Sequence, residues 1–201
     1  MARRKVDVRR EEILDATVEQ VERLGLAATR VADVANALDC STALVFYHFG
    51  TKDELVVAAF EHAVNKDLAR LDAAVARGGT ALDRLRAVVR LYGPTGAATG
   101  WKLWIDAWAC AQREPEIRTA LRRLDKRWES VLLGVVRAGV EDGTFRTADP
   151  KASVARISAL LDGLSVAALV YGSVTRKQLK AWIADALAKE LDVDVEAVVG
   201  D

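Results

Sequence analysis

Thr29–Leu55 reads TRVADVANALDCSTALVFYHFGTKDEL, and the punctuation of this stretch decides the fold. Val31, Val34, Ala35 and Leu38 recur at helical spacing and form the inner face of one short helix, which Thr29 can cap. Asp39-Cys40 is a short turn. Ser41 can then cap a second short helix running to about Phe49, because its hydroxyl takes up an amide left unpaired at the helix start. Gly50-Thr51 breaks that helix, and Thr51 can cap a long one reaching about Arg77. Upstream, Val6–Leu24 carries Ile13, Ala16, Thr17, Val21 and Leu24 near helical spacing, and Gly25 stops it. Helices of this length with a tight turn between the second and third form a helix-turn-helix, whose last helix enters a DNA major groove. Thr42, Ala43, Phe46 and Tyr47 are expected to face outward, with Leu44, Val45, His48 and Phe49 partly inward.

Thr29-Arg30-Val31-Ala32-Asp33-Val34-Ala35, then Ser41 through Phe49, then Lys52-Asp53-Glu54-Leu55, resembles the signature of the TetR family of bacterial regulators. The resemblance implies that Thr29, Thr42, Tyr47 and Lys52 contact phosphates or base edges, that Ser41 caps the recognition helix, and that His48-Phe49 locks that helix in place. Ala43 stands where the family usually has Gly, and Phe46 where it usually has Tyr. The DNA-binding set expected is therefore Thr29, Ser41, Thr42, Ala43, Phe46, Tyr47, His48 and Lys52. Taken alone, a Tyr-His-Phe run ending a helix reads as core; the whole constellation makes it a DNA-reading one. Arg3, Arg4 and Lys5 read equally as a groove-binding arm or a solubilising tail. Trp101–Arg113 followed by Glu114-Pro115-Glu116 also resembles the C-terminal domain of the choline-responsive BetI-like branch.

The 201 residues suit one or two domains, 51% of them are hydrophobic, and prolines number only 3, so helix is the expected class. No strand-like alternation persists. The fold expected is all-α with about nine helices. A helix-turn-helix domain spans 1–50, and a ligand-sensing, dimerising domain spans 51–201, with helix 52–77 linking them. The 29 basic and 29 acidic residues cancel, which excludes a generally basic nucleic-acid binder and makes any DNA contact a local arrangement. The 2 cysteines, Cys40 and Cys110, fall in different predicted units and show no metal or disulfide spacing. They read as reduced thiols of a cytoplasmic protein. The basic start has no apolar run behind it, and the apolar stretch Leu160–Val174 contains Asp162, so neither a signal peptide nor a membrane span is expected. No cofactor is expected.

All 5 tryptophans lie beyond residue 100. Trp101, Trp104 and Trp108 share a helical face, and Trp128 sits in another stripe with Leu121, Leu124, Val131 and Val135. Together with Tyr92 and Phe145 they can line a pocket for a small organic effector, with Asp106, Glu129 and Asp162 as acids favouring a cation. The competing reading is ordinary core packing, and Asp162 has a second alternative in satisfying a helix end or the dimer seam. The last two long helices carry paired apolar faces. Ile157, Leu161, Leu164 and Ala168 line one, and Leu179, Trp182, Ile183 and Leu187 line the other, which suits a two-fold four-helix seam between two copies. The expected function is a homodimeric repressor released from an inverted-repeat operator on double-stranded DNA by a small molecule. The alternative is a small-molecule carrier with a vestigial helix-turn-helix. An enzyme is disfavoured, because no nucleophile–base pairing, phosphate loop or metal spacing is present.

Overall fold

The computed structural model describes residues 2–92 and 101–199, with side chains described from Arg9 to Leu91 and from Trp101 to Val198. Among these residues it is all-α, with ten helices. They are α1 (Ala2–Leu24), α2 (Val31–Ala37), α3 (Thr42–Phe49), α4 (Lys52–Ala76), α5 (Ala81–Tyr92), α6 (Trp101–Ala111), α7 (Pro115–Glu141), α8 (Pro150–Leu169), α9 (Arg176–Leu191) and α10 (Val195–Val199). The tenth, Val195–Val199, follows the last long helix. Val198 is buried there, and the Arg86 guanidinium donates to the Ala197 carbonyl, tying the tail to α5.

The chain forms two compact units. One comprises Met1–Lys66 with Lys102–Leu124, the other Asp67–Trp101 with Asp125–Asp201. The first unit therefore joins the helix-turn-helix to α6 and the start of α7. Its core gathers Ile13, Leu14, Val31, Val34, Ala35, Val45, Phe49, Leu55 and Ala59. Polar helix starts do what the sequence reading asked of them. The Ser41 hydroxyl accepts from Leu44 N–H at 3.2 Å, and Thr51 and Glu54 cap α4 reciprocally. One cap differs: α2 begins after Arg30 rather than Thr29, with the Asp33 carboxylate accepting from Arg30 N–H at 3.1 Å.

In the second unit α9 packs against both α8 and α10. The Asp149 carboxylate caps α8, Pro150 opens it, and Thr175 with Gln178 forms the capping box of α9. Phe145 closes the end of α7 by lying directly on Gly139, where any side chain would collide with the ring. Taken from Pro150 rather than Leu160, α8 is long and apolar enough to cross a membrane by length and composition, and 39% of its most apolar window is buried within the chain. Three serines, Ser153, Ser158 and Ser165, are buried along it, and Ser165 donates its hydroxyl proton to the Leu161 carbonyl.

Candidate DNA-reading head and sensing helix

The reading head is built on α3. Val45 and Phe49 are buried against α1 and α4, while Thr42, Ala43, Phe46 and Tyr47 face outward, Tyr47 with 78% of its surface exposed. The Arg10 guanidinium from α1 lies 4.7 Å from the Phe49 ring centroid, and His48 is half-buried with its ring edge-on to Tyr47. An eight-residue helix has little intrinsic stability, so its pose comes from these anchors and from the Ser41 cap. The outward residues leave a protruding face of small, hydroxyl-bearing and aromatic side chains, which suits base edges and phosphates.

Two members of the expected set sit differently. Thr29 is 2% exposed, and its hydroxyl donates to the Gly25 carbonyl at 2.8 Å. The Lys52 ammonium, at the start of α4, donates to the Ala27 carbonyl at 3.0 Å. Both therefore serve the turn between α1 and α2. Leu26 in that turn is buried, and its N–H is taken by the Asp106 carboxylate of α6 at 3.1 Å. An unpaired buried amide costs about 1–3 kcal/mol, so the bond is a substantial tie. Gly25 has φ +84°, and a β-carbon there would lie 3.3 Å from the same carboxylate oxygen. A cavity of about 240 Å³ adjoins the turn, lined in part by Leu26, Ala27, Lys52, Cys110 and Arg113. Burial, and after it the charge of Asp106, pushes the Cys110 thiol above its ordinary range, so it is poorly reactive.

A second tie joins α1 to α4. Asp15 receives Lys66 at 2.5 Å and His62 Nε2 at 2.8 Å. The hydrogen bond from Lys66, and then that from His62, holds the Asp15 carboxyl below the ordinary carboxylate range. An Arg123–Glu61 ion pair adds α7 to the same unit.

The aromatic residues divide between the units. In the first, Trp104 and Trp108 are half-buried neighbours on α6 with ring centroids 6.4 Å apart, and Phe60 of α4 meets Trp104 edge-on at 5.4 Å. Phe60 was missed in the sequence because a lone Phe in a long amphipathic helix carries no signal. In the second unit Trp101 and Trp128 are buried, each 6% exposed, Phe145 is buried on Gly139, and Asp162 is half-buried. The Tyr92 side chain lies outside the described residues, as do those of Arg3, Arg4 and Lys5. Asp125, four residues before Glu129, went unnoticed in the sequence; burial, and then the charge of Glu129, raises its carboxyl above the ordinary range.

Most of the expected seam is interior to the single chain. Ile157, Leu161, Leu164, Leu179, Ile183 and Leu187 are all 7% exposed or less, Ala168 is half-buried, and Trp182 remains 45% exposed. The large apolar residues left outside on α8 and α9 are Leu160, Leu169 and Trp182, followed by Val170 and Tyr171.

A capped recognition helix on a small three-helix core, followed by a helical body, defines a helix-turn-helix transcriptional regulator. Residues 13–59 match the sequence model of bacterial regulatory proteins of the tetR family, and residues 81–192 match that of the BetI-type transcriptional repressor C-terminal domain. The chain belongs to the TetR family, with a C-terminal domain of the BetI type. The HTH-type transcriptional regulator BetI of Burkholderia mallei is 32% identical, over 79% of this chain and 80% of its own length, and that of Paraburkholderia xenovorans is 31% identical with the same coverage. Among solved structures, a putative transcriptional regulator from Saccharomonospora viridis in complex with choline is 26% identical, with TM-score 0.83 over 92% of this chain and 98% of its own. The chain is thus a ligand-responsive, DNA-binding transcriptional regulator and not an enzyme; its family binds operator DNA, dimerises and takes small-molecule ligands.

Proposed function

We propose that this regulator is a cytoplasmic repressor that binds an inverted-repeat operator as a two-fold dimer and is released by a small quaternary ammonium cation of the choline type. The outward face of α3 carries the reading: a helix anchored by Val45 and Phe49 and capped by Ser41 presents Thr42, Ala43, Phe46 and Tyr47 to a groove. Ser41 and His48 hold that helix, and Lys52 joins the contact by leaving the Ala27 carbonyl for a phosphate. Two such helices related by a two-fold axis read two half-sites in opposite sense, about 34–36 Å apart.

The cationic effector is supported by the Trp104–Trp108 pair backed by Phe60, since indole faces attract ammonium groups, and by the choline bound to the Saccharomonospora viridis protein. The dimer face we propose is the exposed strip Leu160, Leu169 and Trp182, with Ala168 beside it, rather than the interior stripe. A second copy there also accounts for the apolar composition of α8. Fluorescence anisotropy on duplexes from the DNA flanking the gene tests the reading. A tight complex on a two-fold sequence, weakened by choline chloride and unaffected by sodium chloride added to the same ionic strength, is expected. Tight binding to an asymmetric site, or no response to choline, would refute the corresponding half.

A further inference from the structure

Asp106 stands on α6 two residues after Trp104 and two before Trp108, so its side chain leaves the helix on the side opposite the indoles. Its carboxylate accepts Leu26 N–H, 80 residues away in sequence, at 3.1 Å. Three polar groups of the turn it grips are tied to side chains. Gly25 C=O accepts from the Thr29 hydroxyl at 2.8 Å, Ala27 C=O accepts from Lys52 at 3.0 Å, and Leu26 N–H donates to Asp106. Gly25 is suited to this arrangement twice over, by its φ of +84° and by the 3.3 Å approach of the carboxylate to the space a β-carbon would fill. The turn delivers the chain from α1 into α2, which packs on α3. One helix thus carries the indole pair on one side and the head's connecting turn on the other, all within a single compact unit.

We propose that Asp106 is a positioning residue for operator reading: it pins the α1–α2 turn to α6, so that a rotation of α6 produced at Trp104 and Trp108 is delivered to the head through Leu26. The inference rests on the reading above for the effector arm alone; the pin itself stands on the hydrogen bond. A charge-assisted bond to a buried amide is directional, and turning a helix by a few degrees lengthens it. The effector then needs no contact with α3, only a preference for the α6 pose in which the bond is strained.

The test uses the dimer of this chain, an operator duplex selected by the wild-type protein from random duplexes, and choline as effector probe. Asp106→Leu keeps the side chain's shape and removes the acceptor, whereas Asp106→Asn keeps one acceptor. The leucine variant is expected to exchange the Leu26 amide at least about tenfold faster, with Val45 still protected, and to bind the operator about tenfold more weakly. The asparagine variant stays within about threefold of wild type on both counts. Choline still quenches tryptophan fluorescence in the leucine variant but no longer changes its operator affinity. Asp106→Ala carries the same expectations and replaces the leucine variant should that one misfold. Wild-type operator affinity and a wild-type choline response in a variant lacking the acceptor would overturn the proposal, as would an asparagine variant no better than leucine. If choline neither quenches nor releases the wild-type protein, the effector reading fails, and amide exchange with operator affinity decides the pin.

Discussion

Both α3 and the α8–α9 pair expose aromatic side chains, and their surroundings give the exposure opposite meanings. On α3, Phe46 and Tyr47 stand beside Ser41, Thr42 and the half-buried His48, on a helix too short to stand without its anchors. On α8 and α9, Trp182 shares the surface with Leu160 and Leu169, on helices of 20 and 16 residues whose interior faces are already filled. A polar-framed aromatic meets a hydrated, charged partner such as DNA; an apolar-framed one is covered by protein. Exposure alone therefore does not identify a surface, while the neighbours of the exposed ring do.

The comparison breaks most severely if the interior of α8 is the dimer seam after all. Leu164→Asp is expected to lower chain stability by on the order of 4 kcal/mol, because an unpaired charge enters the α8–α9 core. Circular dichroism should show unfolding, and a folded monomer from this variant would return the seam to the inner stripe. Trp182→Glu sharpens the same contrast from outside. It should leave helicity intact and weaken dimerisation by roughly 2 kcal/mol, read by sedimentation equilibrium as a shift toward folded monomer.

On the polar-framed side, Lys52→Ala is expected to cost about 1 kcal/mol of operator affinity per subunit and to lower the salt slope by about one unit per subunit, on all sequences alike. An unchanged slope would mean that Lys52 stays on the Ala27 carbonyl. The smallest effect concerns the α1–α4 tie under the head. Lys66 and His62 lower the Asp15 carboxyl, so its contribution is fully present above the ordinary carboxylate pKa and is lost as pH falls through the lowered native value. Asp15→Asn should flatten the acid limb of the melting curve below about pH 4, by a small amount because the pair is half-exposed. A variant as acid-sensitive as wild type would remove Asp15 from the account.

The sequence by itself determined the helical class, the order of the helix-turn-helix, the Ser41 and Thr51 caps and the outward set on α3. Those features are local: caps, turns and a 3.6-residue period act within a few residues of one another. Tertiary structure alone decided which neighbour filled each stripe. Periodicity showed that Ile157, Leu161 and Leu164 share a face, but not that α9 of the same chain would cover it. Packing decided that Thr29, which the resemblance implies as a DNA contact, is 2% exposed. Asp106 read as a ligand acid among tryptophans, and the structure placed it on Leu26, across 80 residues of chain. A carboxylate's sequence position does not name its partner, because in a helical bundle the partner is whichever buried N–H the packing brings within hydrogen-bonding distance of it.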